Sequence, residues 1–120
     1  MTALTWILAI LIAFFFTMTG IVKIFGTPKK LFKEQKKEFF DNYGIDRRGI
    51  RSIGFAELFG AIAILFWTEN MNIALAGAVG LVLITLGAIY FHLVFDKKPQ
   101  PQAAIVMCLL TIGYIGTIIF

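Results

Sequence analysis

Residues 3–22 read ALTWILAILIAFFFTMTGIV, and this stretch contains no charged side chain. At roughly 1.5 Å of rise per residue, about 20 apolar residues in an α-helix cross the hydrocarbon core of a bilayer. The stretch therefore predicts a first transmembrane helix over residues 3–24. No Lys or Arg precedes it, whereas a cleaved signal peptide begins with a basic region, so we expect this helix to be retained.

The composition of the whole chain agrees with a membrane protein. Of its 120 residues, 59% are hydrophobic and 15% are charged. A soluble domain has about 45–50% apolar and about 25% charged residues, and a disordered chain has low hydrophobicity and high charge. The length allows a single domain, over residues 1–120.

Three further apolar stretches predict membrane helices, at residues 50–68, 71–95 and 103–120. The first of these is the least apolar, because it contains Arg51 near its start and Glu57 inside. The next is interrupted by His92. Since four spans are too few for a closed β-barrel, the sequence predicts an all-α, integral membrane four-helix bundle.

The basic residues predict the orientation of the bundle. All eleven Lys and Arg fall in, or at the span ends next to, the connection between spans one and two or the connection between spans three and four. These two connections share one side of a four-span chain, so the positive-inside rule places them in the cytoplasm and both termini outside, in the plasma (inner) membrane. The net charge of +4 then favours membrane lipids with anionic head groups as partners of the basic loop, and requires no nucleic acid.

The long connection between spans one and two predicts a helix of its own, over residues 28–41. Pro28 suits the first turn of a helix. The residues that recur after it at helical spacing, with lysines filling the other positions, are Leu31, Phe32, Gln35, Phe39 and Phe40. This pattern is typical of an amphipathic helix in the cytoplasmic interface of the membrane, and a docking surface for a protein partner is the alternative.

Three ionisable residues fall inside or at the end of predicted spans, at similar depth. Such a group costs roughly 2.5–3.5 kcal/mol to insert, so each is a candidate functional residue. Glu57 lies six residues after Arg51, His92 lies four residues before Asp96, and Lys23 closes span one. All three are therefore expected in the cytoplasmic third of the bilayer, where Glu57 can pair with Lys23 or Arg51.

Small residues accompany these ionisable residues on the same helix faces. Because membrane helices pack through small residues, these faces are expected to point into the bundle. The predicted binding pocket consists of Lys23, Glu57, His92, Gly20, Gly54, Ala61 and Ala88. Glu57 and His92 are the candidates for acid–base catalysis. A purely structural ion pair that fixes helix register is the alternative. A single Cys108 and a lone His92 exclude a disulfide and a two-histidine metal centre within one copy, so no metal site is expected.

Several short segments of the chain, taken in sequence order, resemble the DoxX-like family of small four-span membrane proteins. The resemblance covers nearly the whole chain. The segments that carry it are residues 19–23, Phe40, residues 43–44, residues 54–61 with their Glu-x-x-Gly-Ala pattern, residues 76–77, residues 87–88 and His92. It implies links to membrane redox systems, including a quinone-coupled thiosulfate oxidoreductase and oxidative-stress complexes. A quinone is the one cofactor that the resemblance suggests.

Three functions remain open from the sequence. The first is an accessory or binding subunit of a membrane redox system, with the polar pocket near the cytoplasmic leaflet. The second is a membrane enzyme that performs acid–base chemistry on a lipid or quinone-like substrate. The third is an assembly factor for a larger membrane protein, with a membrane protein or a second copy of the chain as partner.

Overall fold

A computed structural model describes residues 2–25, 44, 46–95 and 102–120. The described residues form four helices: α1 (Thr2–Phe25), α2 (Arg47–Ile64), α3 (Met71–Phe95) and α4 (Gln102–Ile119). The predicted all-α fold is confirmed. The interfacial helix predicted at residues 28–41 lies outside the described residues and stays a prediction.

The four helices form a closed ring in chain order. Each helix packs against the next one, and α4 also packs against α1. As a result, the end of α1, the start of α2, the end of α3 and the start of α4 lie at one end of the bundle, which we call the basic end. The termini and the turn between α2 and α3 lie at the opposite end.

Three of the four described helices are long and apolar enough to cross a membrane, namely Thr2–Phe25, Met71–Val94 and Gln102–Ile119. Helix α2 is not, because three arginines in its first turns and Glu57 lower its hydropathy. Its 18 residues still measure about 27 Å, close to the thickness of the hydrocarbon core. It packs against α1 and α3, which are both candidate spans.

Helix α2 begins and ends earlier than the span predicted at residues 50–68. Asp46 is its N-cap residue, and a carboxylate oxygen of Asp46 accepts a hydrogen bond from the backbone N–H of Gly49 at 2.8 Å. This cap extends the helix back to Arg47. At the other end the helix stops at Ile64, and residues 65–69 form the turn that leads into α3.

The core of the bundle is apolar and draws on all four helices. Its buried side chains include Ala9, Ile12, Phe16, Ala61, Ile64, Ala74, Ala78, Leu81, Met107, Tyr114 and Ile118. The outer surface is equally apolar: Phe14 is 69% exposed, and Leu83 and Leu109 are each 64% exposed. A bundle that is apolar both inside and outside suits a lipid environment, where no hydrophobic force distinguishes the two surfaces.

Glycines bring the helices into close contact at two places. A Cβ atom on Gly20 would lie 2.8 Å from the carbonyl oxygen of Gly54, so α1 and α2 touch backbone to backbone there. A Cβ atom on Gly77 would lie 2.5 Å from the Cβ atom of Ala63, which sets the contact between α2 and α3. Side chains larger than hydrogen at these positions would force the helices apart.

Candidate functional site

A buried ion pair joins α1 to α2 near the basic end. The ammonium nitrogen Nζ of Lys23 donates to Oε1 of Glu57 at 2.8 Å, and the two side chains are 9% and 4% exposed. The hydroxyl of Thr19 donates to the other carboxylate oxygen of Glu57. Thr19 and Lys23 are four residues apart on α1, so they lie on one face of the helix and both reach the same carboxylate.

Arg47 fastens the backbone of Lys23 to the start of α2. Its guanidinium donates to the carbonyl oxygen of Lys23 at 2.5 Å and to that of Ile24 at 3.0 Å. The last carbonyls of a helix have no partner within the helix, and a cation also interacts favourably with this end of the helix dipole. An arginine stays protonated in proteins, because its unperturbed pKa is so high.

One stripe of α2 therefore holds Lys23 at three points. Arg47 binds its carbonyl oxygen, Gly54 lies against its Cβ atom, and Glu57 binds its ammonium group. These three residues follow a spacing of seven and three, which places them on one side of a helix. The stripe thus fixes both the backbone and the charged end of Lys23.

A cavity of about 200 Å³ lies beside this ion pair, between all four helices. Its polar wall consists of Thr19, Lys23, Glu57, Thr85 and His92. The rest of the wall is aromatic or aliphatic and is formed by Phe15, Phe16, Ile84, Ala88, Phe91, Ala103, Ala104 and Met107. The cavity thus combines hydrogen-bonding groups on one side with an apolar surface on the other.

The structure brings Lys23, Glu57, His92 and Ala88 to this one cavity, out of the seven residues predicted for the pocket. His92 is half-buried on the last turns of α3. Thr85, two turns earlier on the same helix, donates its hydroxyl hydrogen to the carbonyl oxygen of Val82 at 2.8 Å. The four helices therefore bring their cavity-lining residues to a similar depth, although these residues are far apart in the sequence.

The other three predicted pocket residues lie outside the cavity wall. Gly20 and Gly54 occupy the contact between α1 and α2, where each backbone fills the space that a side chain would need. Ala61 is fully buried in the apolar core. All three lie on the interior faces of their helices, but they pack the helices together and do not line the cavity.

Sequence reasoning missed several residues of the site. Thr19 lies four residues before Lys23, and this spacing indicates that both side chains can bind the same partner on one face of the helix. Phe91 adjoins His92 but gives no polar signal, and Met107 lies within an apolar stretch. The two hydrogen bonds of the Arg47 guanidinium could not be predicted from the sequence, since their acceptors are backbone atoms of another helix.

The arrangement suits the binding of a small molecule more than the binding of a metal. The described residues contain no group of three or more His, Cys, Asp or Glu side chains that could hold a metal ion. The opposite charges of Lys23 and Glu57 compensate each other at 2.8 Å. The polar wall can therefore hydrogen-bond a ligand without adding net charge to the cavity.

The comparisons with known proteins agree with this architecture. The sequence model of the DoxX-like family matches residues 7–114, a range that includes Lys23, Glu57 and His92. Neither the curated proteins nor the solved structures contain a match to the chain. Since the match spans parts of all four helices, of which three can cross a membrane, the chain belongs to the DoxX-like family and is a multi-pass membrane protein.

Proposed function

We propose that this protein is a binding or accessory subunit of a membrane redox system, and that its cavity holds the head group of a quinone. One observation carries the proposal: a small cavity with an apolar wall has a buried Lys–Glu pair and a histidine on its polar side. Ionisable residues within a membrane protein commonly mark substrate sites or proton pathways.

The chemistry of the cavity matches a quinone head group. Such a head group is a flat, neutral ring with carbonyl oxygens, which accept hydrogen bonds. Lys23 and His92 carry N–H groups, and Phe16 and Phe91 provide aromatic surface for the ring. The family to which the chain belongs supports the same ligand class, since the resemblance implies links to quinone-coupled redox systems.

The orientation that we propose places the cavity near the cytoplasmic leaflet. Lys23, Arg47 and His92 lie at the basic end of the bundle. The two basic connections, between α1 and α2 and between α3 and α4, begin and end there. The positive-inside rule assigns this end to the cytoplasm. The basic connections then face anionic lipid head groups on the same side.

The geometry supports a binding role better than an acid–base enzyme. A general base needs an available lone pair directed at the substrate, within about 2.6–3.2 Å of the proton it removes. Both carboxylate oxygens of Glu57 already accept hydrogen bonds from Lys23 and Thr19. These two contacts fix the carboxylate of Glu57 against α1, where it forms a structural part of the polar wall.

Native mass spectrometry of the protein, extracted gently from its own membrane, tests the proposal. We expect the wild-type protein to retain a quinone at a ratio of one per chain. Glu57→Gln should lose it, because the amide releases Lys23 from the ion pair and changes the polar wall. Glu69→Gln is the matched control, since Glu69 is exposed at the opposite end of the bundle.

Retention of the quinone by the Glu57→Gln protein would contradict a role of the ion pair in binding. A wild-type protein that carries no quinone but a stoichiometric protein partner would instead favour an assembly factor. In that case, alanine substitutions of Phe32, Phe39 and Phe40 should release the partner, because these residues form the apolar face of the predicted interfacial helix.

A further inference from the structure

The cavity is small for a ligand site. Its volume is about 200 Å³, whereas drug-sized ligands occupy pockets of roughly 300–1,000 Å³. An apolar cavity of ~150 Å³ in another protein binds a single benzene ring. The space beside the Lys23–Glu57 pair therefore matches one six-membered ring with small substituents.

The cavity cannot extend toward the centre of the bundle. Phe16 and Met107 line it, are 2% and 6% exposed, and belong to the apolar core. Protein interiors are close-packed, so a larger ligand would have to displace these side chains. Forcing extra atoms into a packed site strains the side chains and the backbone around it and therefore weakens binding.

The electrostatics of the cavity disfavour a charged ligand. The ammonium group of Lys23 would repel a cation and the carboxylate of Glu57 would repel an anion, while the pair itself is neutral. Either charge would also lose its hydration without gaining a partner of its own. A neutral molecule with a hydrogen-bond acceptor meets neither penalty.

We infer that the cavity selects neutral head groups with a single ring and a hydrogen-bond acceptor, and that Phe16 and Met107 exclude fused two-ring head groups. This inference rests on the proposed function and specifies its substrate class. In quinone terms, the cavity takes the benzoquinone type and rejects the naphthoquinone type.

A competition between two probes tests the size limit. The purified full-length protein in lipid nanodiscs is offered a benzoquinone and a naphthoquinone that carry the same alkyl tail, and the bound fraction of each is measured by native mass spectrometry. We expect the benzoquinone to bind on the order of tenfold more tightly, since a hydrophobic site discriminates a misfit of this size by roughly this factor. Equal or tighter binding of the naphthoquinone would overturn the inference.

Substitutions in the wall test which residues set the limit. Met107→Ala should improve naphthoquinone binding relative to benzoquinone binding by about tenfold, because it deepens the cavity. Leu109→Ala is the control, since Leu109 lies on the same helix and is 64% exposed. Ala104→Leu, which adds bulk to a half-buried position in the wall, should weaken the binding of both rings. An unchanged preference in the Met107→Ala protein, together with unchanged binding of both rings in the Ala104→Leu protein, would remove the assignment.

The outcomes separate the inference from the function on which it rests. Binding of neither quinone to the wild-type protein would overturn both. Equal binding of the two quinones, abolished by Glu57→Gln, would leave the quinone site in place and overturn the size limit alone. A benzoate ion that competes as well as the benzoquinone would overturn the selection for neutral ligands.

Discussion

Gly54 gives the side chain of Lys23 its place between α1 and α2. A Cβ atom on Gly54 would lie 2.8 Å from the Cβ atom of Lys23 and 2.9 Å from the carbonyl oxygen of Gly20. Real Cβ atoms do not approach other atoms this closely, so the absent side chain lets Lys23 pass α2 and reach Glu57. The ion pair therefore depends on a glycine that does not itself line the cavity.

Gly54→Ala should destabilise the bundle by about 1–3 kcal/mol, because the added methyl group meets backbone as well as side-chain atoms. The measurement is the free energy of unfolding in mixed micelles. Gly80→Ala is the control, since no atom lies within 4 Å of a Cβ atom at Gly80, and alanine is better than glycine inside a helix by roughly 0.5–1 kcal/mol. If both variants lose the same free energy of unfolding, the close contact at Gly54 does not account for the loss of stability.

A double-mutant cycle measures how the Lys23–Glu57 pair contributes to stability. Lys23→Met should cost about 3–5 kcal/mol, because it leaves the carboxylate of Glu57 buried without its cation. The double variant Lys23→Met/Glu57→Leu should recover most of that loss, since it removes both charges. The same unfolding assay checks both proteins. A double variant that is no more stable than the single one would contradict the charge argument.

The depth of the polar residues was predictable, but their contacts were not. Counting residues from the ends of the spans placed Lys23, Glu57 and His92 at one level, because an α-helix has a fixed rise per residue. The choice of Lys23 over Arg51 as partner of Glu57 depends on how far the helices approach and rotate. That approach is set by the backbone contact between Gly20 and Gly54, which requires three-dimensional information.

The start of α2 shows a second limit of sequence reasoning. Asp46 is a strong N-cap residue, but the polar stretch at residues 46–49 equally suits a turn that precedes the helix. The structure selects the helix: Asp46 caps its first turn, and Arg47 joins that turn to the end of α1. A local cap and a tertiary contact together decide a boundary that the sequence leaves open.

Arg47→Ala should destabilise the protein by about 1.5–3 kcal/mol, the usual value for hydrogen bonds that involve a charged group. Arg48→Ala is a closely matched control, because it removes the same charge from the next, exposed position of α2. Arg47→Lys should restore part of the loss, since an ammonium group lacks the two-pronged geometry of a guanidinium. Thermal unfolding of the three variants distinguishes these cases, and equal effects of Arg47→Ala and Arg48→Ala would refute the assigned contact.

Tyr114 connects α4 to the end of α2 across the bundle. Removing its hydroxyl tests the stability of the bundle separately from ligand binding in the cavity. The hydroxyl donates to the carbonyl oxygen of Ile64 at 2.5 Å, and the side chain is fully buried. Tyr114→Phe keeps the ring but leaves this carbonyl without the hydroxyl, which should cost about 1–3 kcal/mol of unfolding free energy. Because Tyr114 does not line the cavity, quinone retention in native mass spectrometry should stay unchanged. Loss of the quinone from a stable, folded Tyr114→Phe protein would show that ligand binding depends on the packing of the whole bundle, and that the residues around Glu57 are not sufficient to account for it.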